Sequence, residues 1–249
     1  MAERRDGVQV LSRAALLLRE LSKAPEGLTP IALADRVGLP RSTCYRIVGA
    51  LCQEGLMRLA PSGRLHIGAG LIGIAAAGRR ELRRDAAPHL KRLSLELHET
   101  VELVVLDGDE ALFTGQYVPQ RSLRVVAEVG DRFPLYCTAC GKALLAELPP
   151  AEAERLIPDP IKPVTRHTNL DRRVLLEEID VVRATGVAYD RQEHTLGVSA
   201  VGAAVHDPGG SMAAITVAMP AARLEGREER IAEALLRTRD DIQTAIKDG

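Results

Sequence analysis

Arg41, Ser42, Thr43, Tyr45 and Arg46 crowd hydrogen-bond donors and acceptors into one short stretch. Guanidinium, hydroxyl and phenol groups suit phosphate oxygens and the edges of base pairs, where Arg grips guanine or phosphate and hydroxyls refine register. The same stretch carries an apolar repeat. Cys44, Ile47, Val48 and Leu51 fall at i, i+3, i+4 and i+7, one face of a helix, so the polar set projects from the other face. Arg58 and Arg64 follow in two short alternating runs around Pro-Ser-Gly. Such runs read as a hairpin, which would hold both guanidinium groups against a phosphate backbone.

These residues need a frame. Thr29 suits a helix cap, Pro30 the first helical position, and Ile31, Leu33, Ala34 and Val37 an apolar stripe. Gly38 and Leu39 make the turn, and Pro40 opens the polar helix. Ahead of them, Val8 to Ser22 reads as an amphipathic helix with Val10, Leu11, Ala14, Leu17, Leu18 and Leu21 inward. Helix, tight turn, helix and basic hairpin is the order of a winged helix-turn-helix, the module that sets one helix in a DNA major groove. A small helical core with a solvated basic face is the plainer account of the same pattern.

Charge is unevenly placed. Residues 1–92 carry 16 basic and 8 acidic side chains, and the remaining 157 carry 17 and 26, so a net charge of −1 hides a basic front and an acidic back. The front would be drawn to phosphate and the back repelled from it. The 249 residues are 46% apolar, with no Trp, two Phe and four Tyr, which allows two aliphatic cores. Arg13 and Arg19 break the N-terminal apolar run, so it does not read as a signal peptide. No run of apolar residues is long enough to span a bilayer, and a cytoplasmic protein is expected.

Catalytic and metal signals are weak. Cys137 and Cys140 form a lone CxxC without the second pair that a zinc ribbon needs. They precede the helical run GKALLAEL, which leaves a thiol-redox switch open beside simple packing. Cys44 and Cys52 read as core thiols, and His66 as an exposed wing residue. The GKA at Gly141–Ala143 is not a phosphate-binding loop, since Ala143 replaces the Ser/Thr and Tyr136 stands where the first Gly belongs. Asp190 and Glu193 lack the further groups of a catalytic dyad, and no GxSxG elbow occurs. No catalytic residue, metal or cofactor is expected. A small-molecule enzyme that uses its winged helix only for dimerisation is the rival class.

A helical connector follows the hairpin. Leu71, Ile72 and Ala75 open it, Gly73 and Gly78 weaken it, and Leu82, Ala86, Leu90, Leu93 and Leu97 give a second helix that Pro88 should kink or restart. From Val101 the pattern becomes α+β. VELVVLDG, ALFTGQYV and Ser122–Val129 read as strands, as does Gly186–Asp190. A helix starts near Thr138, another covers Leu170–Thr185, and a last one carries Leu224, Ile231, Leu235, Ile242 and Ile246. Val198–His206 and Met212–Met219 make a hairpin about Asp207-Pro-Gly-Gly.

Three segments, LPRSTCYRIVGAL, FPLYCTACGKALLA and GVAYDRQEHTLGVSAVGAAVHDPGGSMAAITVAMP, resemble the IclR family of bacterial transcription regulators in type, order and separation. The resemblance spans roughly residues 8–247. It implies an α+β chain: a winged helix-turn-helix over 1–68, linker helices over 69–98, and a GAF-like effector-binding and oligomerisation domain over 99–249. It also implies dimers, commonly paired into tetramers on a double-stranded operator, and repression or activation alike.

The same resemblance implies an effector pocket. Its rim falls on Ala139, Cys140 and Gly141 at a helix start, where unsatisfied N–H groups and the helix dipole favour a carboxylate. Asp190 matches an acidic pocket position, and Val125, Phe133 and Val198 match apolar walls. Thr138 and Ser199 could add hydrogen bonds. Ala200 departs from the polar Cys found there in some members, which points to a larger or more apolar carboxylate than glyoxylate or pyruvate.

Overall fold

Helix α1 (Gln9–Ser22) buries Leu17 and Leu21, one turn apart, but leaves Val10 and Leu11 47% and 69% exposed. The inward stripe expected from its start is therefore confined to the C-terminal half. The reason is length: α1 has 14 residues and its partner α2 (Pro30–Val37) only 8, so the first turns of α1 overhang. The computed structural model describes residues 9–71, 74, 80–206 and 212–248, and divides the chain into two compact units, Met1–Arg80 and Glu81–Gly249.

In the first unit Thr29 is extended and its Oγ1 accepts from the Ala32 N–H at 3.2 Å, capping α2 as its sequence predicts. Leu33 and Ala34 are buried, while Ile31 faces solvent. Gly38 is left-handed, and α3 (Arg41–Gln53) follows, burying Cys44, Ile47, Val48 and Leu51. The strands β1 (Met57–Leu59) and β2 (Leu65–Ile67) close an antiparallel hairpin. Leu17, Leu33, Cys44, Met57 and Leu65 share one core, so both helices and the hairpin are held in one body.

The second unit is built on a six-stranded antiparallel sheet in the order β5-β4-β3-β8-β7-β6. The strands are β3 (Thr100–Asp107), β4 (Glu110–Tyr117), β5 (Arg132–Pro134), β6 (Ala188–Arg191), β7 (Val198–His206) and β8 (Met212–Pro220). Helix α4 (Arg80–Leu97) runs through Pro88 without restarting. Its Leu82, Leu90 and Leu97 meet Val101, Leu103 and Val105 of β3, together with Ile231, Leu235 and Ile242 of the last helix. That last helix is α8 (Glu228–Asp248); Leu224 lies before it, after a 3-10 turn at Ala221–Arg223.

Strand alternation gives the other face to Thr100, Glu102 and Val104. Here α5 (Ala139–Glu147) and α7 (Arg172–Thr185) pack, and a short helix unforeseen in the sequence, α6 (Pro150–Leu156), flanks them. Thr138 caps α5 and Asp171 caps α7. Gly202 explains how α5 comes so close to β7: a Cβ there would stand 2.8 Å from the Ala139 carbonyl.

One expected strand does not form. Residues 122–129 make an irregular strap, and β5 forms later, at Arg132–Pro134. Side chains replace the ladder: Thr100 Oγ1 donates to the Val125 carbonyl and Gln116 Nε2 to that of Ala127. The strap's apolar residues alternate, as a strand's would, but Leu123, Val126 and Val129 are exposed. Its start is tied to Glu99, a buried carboxylate met by Arg121, Arg223 and Arg227. Within the connector, residues 72–73 and 75–79 lie outside the described residues, and so do Asp207–Gly210 of the expected hairpin turn.

Candidate functional site

The first unit presents a polar face. Arg41, Ser42, Tyr45 and Arg46 are exposed on the early turns of α3, and Thr43 is half-buried. Because Cys44, Ile47 and Val48 pack inward, these side chains are held outward by the core behind them. Arg58 and Arg64 are both exposed on the hairpin, but they differ. Arg64 Nη1 donates to the Gly27 carbonyl at 2.8 Å, which ties the hairpin to the α1–α2 turn; Arg58 makes no such bond among the described residues. His66 is half-buried beside Gly27, where an added Cβ would come within 2.8 Å of its ring.

The second unit holds a cavity of about 520 Å³ between the strap, the start of α5 and the loop at 192–197. Val125, Phe133, Ala139, Cys140, Asp190, Val198 and Ala200 all line it, so residues far apart in sequence do converge. The register explains the convergence: Asp190 pairs with Ala200, and Ala200 with Ala218. Small side chains on this face leave the space that Phe113 and Phe133, edge to face at 4.6 Å, close on one side.

Gly141 does not join the wall. Its N–H donates to Thr138 Oγ1 at 3.2 Å, and a Cβ on it would meet the Leu135 backbone. One of the N–H groups expected to receive a carboxylate is therefore already used by the cap. Thr138 itself lines the cavity, and its hydroxyl donates to the Pro134 carbonyl at 2.8 Å. Ser199 is buried and absent from the lining.

Asp190 is more than a turn residue. It is buried, its Oδ1 accepts from the Glu193 N–H at 2.7 Å, and so it shapes the loop that follows. Burial pushes its carboxyl up to about 7, against the Glu193 N–H that lowers it, while the Glu193 carboxylate adds to the rise. Cys137 and Cys140 are buried and not joined by a disulfide. Burial pushes both thiols up to about 12, which disfavours the thiolate that redox exchange requires. Cys137 and Cys140 are packing residues at the head of α5, which is why the redox alternative finds no support in their surroundings.

The cavity also contains groups the sequence reading did not single out. Glu102 and Thr216 lie on its floor, and His194 on its loop wall. Glu102 is pushed up to about 8 by burial. His194 packs edge to face on Phe133 at 4.6 Å, and burial lowers its pKa, which favours the uncharged ring. A signal for Glu102 was present: it is a lone acid inside the apolar run VELVVLDG. No comparable signal marks Thr216, because only the pairing of β3 with β8 brings it there.

Residues 10–60 match the IclR helix-turn-helix domain, and residues 74–244 match the bacterial transcriptional regulator IclR C-terminal domain. The HTH-type transcriptional regulator Rv1719 of Mycobacterium tuberculosis is 44% identical over 234 residues, covering 94% of this chain and 90% of that protein. TtgV of Pseudomonas putida, also an HTH-type transcriptional regulator, is 36% identical, covering 96% of this chain and 92% of that protein. Among solved structures, an IclR homolog of Microbacterium hydrocarbonoxydans complexed with 4-hydroxybenzoate has the same fold. Its TM-score is 0.86 at 22% identity, covering 96% of this chain and 100% of that chain. No helix among the described residues is long and apolar enough to cross a membrane. With both family domains matched in order along nearly the whole chain, this protein belongs to the IclR family of bacterial transcriptional regulators.

Proposed function

We propose that this protein is a cytoplasmic, ligand-responsive regulator that reads an operator through α3 and is controlled by a small organic molecule in the second unit's cavity. The observation that carries the DNA reading is the two-faced α3, with Cys44, Ile47, Val48 and Leu51 buried and Arg41, Ser42, Tyr45 and Arg46 exposed. Arg41 and Arg46 take phosphate or guanine, Ser42, Thr43 and Tyr45 refine register, and Arg58 and Arg64 hold the flanking backbone. Winged-helix residues 1–68, connector 69–98 and effector domain 99–249 form the working parts.

In this reading a homodimer, or a pair of them, places two α3 helices in successive major grooves. An effector changes DNA affinity only by favouring one dimer geometry over another, with the connector as the covalent route. Val125, Phe133, Ala139, Cys140, Val198 and Ala200 wall the effector, and Asp190 sets the loop over it. The 4-hydroxybenzoate held by the Microbacterium homolog supports an occupant of about one ring. The protein carries out no reaction of its own.

The deciding experiment is fluorescence anisotropy on DNA from upstream of the protein's own gene and other promoters, against scrambled DNA, over a salt series. Selective binding with a steep salt slope is expected, weakened by Arg46→Ala. Equal, weak binding to every promoter and to scrambled DNA would overturn the operator reading.

A further inference from the structure

Glu102 and Thr216 are directly paired across β3 and β8, and both line the cavity. They are 3% and 2% exposed. No group among the described residues hydrogen-bonds the Glu102 carboxyl, and Thr216 Oγ1 has no partner. On the other side of Glu102, its β4 partner Gln116 spends its amide N–H on Ala127 and leaves Oε1 unpartnered. Three adjacent strands thus present a row of buried oxygens to which no described residue donates. Buried polar groups in native proteins are nearly always met by a partner, so this row marks the place of a missing hydrogen-bonding group, one that can donate to the free oxygens.

No cation stands beside Glu102 and Thr216 among the described residues. Arg124 is exposed and donates to the Arg121 carbonyl at 2.9 Å. Burial disfavours the charged form of His194, and the Gly141 N–H is taken by Thr138. Glu102, Asp131 and Asp190 are the acids that line the cavity. A carboxylate placed on the floor would meet no cation there, only the Thr216 hydroxyl and a Glu102 that must keep its proton to donate, so its desolvation goes largely uncompensated.

We propose that the cavity selects a molecule with an apolar, ring-sized body and a hydrogen-bond-donating head, a hydroxyl or an ammonium group, seated on Glu102 and Thr216. The assignment rests on the cavity being the effector site, and it replaces the carboxylate head implied by the family resemblance. A hydroxyl donates to the floor whether Glu102 is protonated or not. An ammonium head instead displaces the Glu102 proton and pairs with the carboxylate, which a buried acid without a partner favours strongly.

The test is calorimetric titration of the full-length protein with benzyl alcohol, benzylamine, benzoate and toluene, which share one ring and differ in the head. Benzyl alcohol, benzylamine or both should bind at least tenfold more tightly than benzoate and toluene. Glu102→Gln keeps an acceptor without the charge, so it should weaken benzylamine about tenfold and change benzyl alcohol less than threefold. Thr216→Val should weaken whichever donor binds. Benzoate binding as tightly as the donors would overturn the donor assignment and leave the effector cavity standing. Toluene matching the donors would do the same. Absence of binding by all four probes would overturn the cavity reading as well.

Discussion

Lys142 Nζ, wholly buried, donates to both carboxylate oxygens of Glu193, at 2.8 and 3.0 Å, and also to Glu178 at 2.7 Å. The contact joins α5 to the loop whose next residues, His194 to Val198, wall the cavity. Glu193 is held from its backbone side too, since Thr165 and Thr168 hydroxyls donate to its carbonyl. Lys142 thus acts as the loop's inner anchor, although in sequence it looked like part of a failed phosphate-loop pattern.

Lys142→Met should therefore cost more than a surface ion pair. It leaves Glu193 buried with its cation gone, a loss of about 3–5 kcal/mol for pairs of this kind. Chemical denaturation of the full chain measures that loss, and ligand titration should show weaker binding. A stability change under about 1 kcal/mol would show that the anchor is dispensable.

The two hairpin arginines should separate. Arg58→Ala is expected to lower DNA affinity and reduce the salt slope by about one, with the melting temperature unchanged. Arg64→Ala removes the bond to Gly27 as well, so it should also destabilise the first unit by about 1 kcal/mol. Anisotropy and thermal unfolding on the same samples distinguish them. Equal stability of the two variants would remove the structural role of Arg64.

Stability should fall as pH rises through the range set by the buried acids. Glu102, ordinarily near 4.5, is pushed up to about 8 by burial, and Asp190, ordinarily near 3.8, to about 7. Between the unfolded and folded values the folded chain keeps a proton that the unfolded chain has lost, so rising pH favours unfolding. Above the folded value the penalty is complete. Glu102→Gln should match the parent near pH 5 and exceed it near pH 8, by a few kcal/mol at most. Superimposable melting profiles for the two proteins across that range would contradict the shift.

Gly202→Ala tests the contact that shapes the cavity. The new Cβ would stand 2.8 Å from the Ala139 carbonyl, so the start of α5 must move off β7. Overpacking of this kind costs about 1–3 kcal/mol. Ligand response should be lost while DNA binding without ligand is kept. Unaltered ligand affinity would mean that the helix start tolerates displacement.

What was legible in sequence was whatever local periodicity and capping decide. Thr29, Gly38 and the buried face of α3 lie where the 3.6-residue repeat and the turn residues put them. The strands β3, β4, β7 and β8 followed from apolar runs, and the head of α5 from Thr138. The strap at 122–129 was misread because alternation measures only which side chains turn inward, and Val125 and Ala127 do turn inward without a ladder. Glu102 gained its meaning only from Thr216 and Gln116 on neighbouring strands, a register no local pattern encodes.

The strap has a consequence for how such a protein diversifies. Its carbonyls at Val125 and Ala127 hang on two hooks, Thr100 and Gln116, rooted in the sheet. Changing the strap's own side chains leaves those hooks in place. Ligand preference can then drift, residue by residue along the strap, while the sheet that stabilises the unit stays as it was. Innovation and robustness are assigned to different stretches of the same chain.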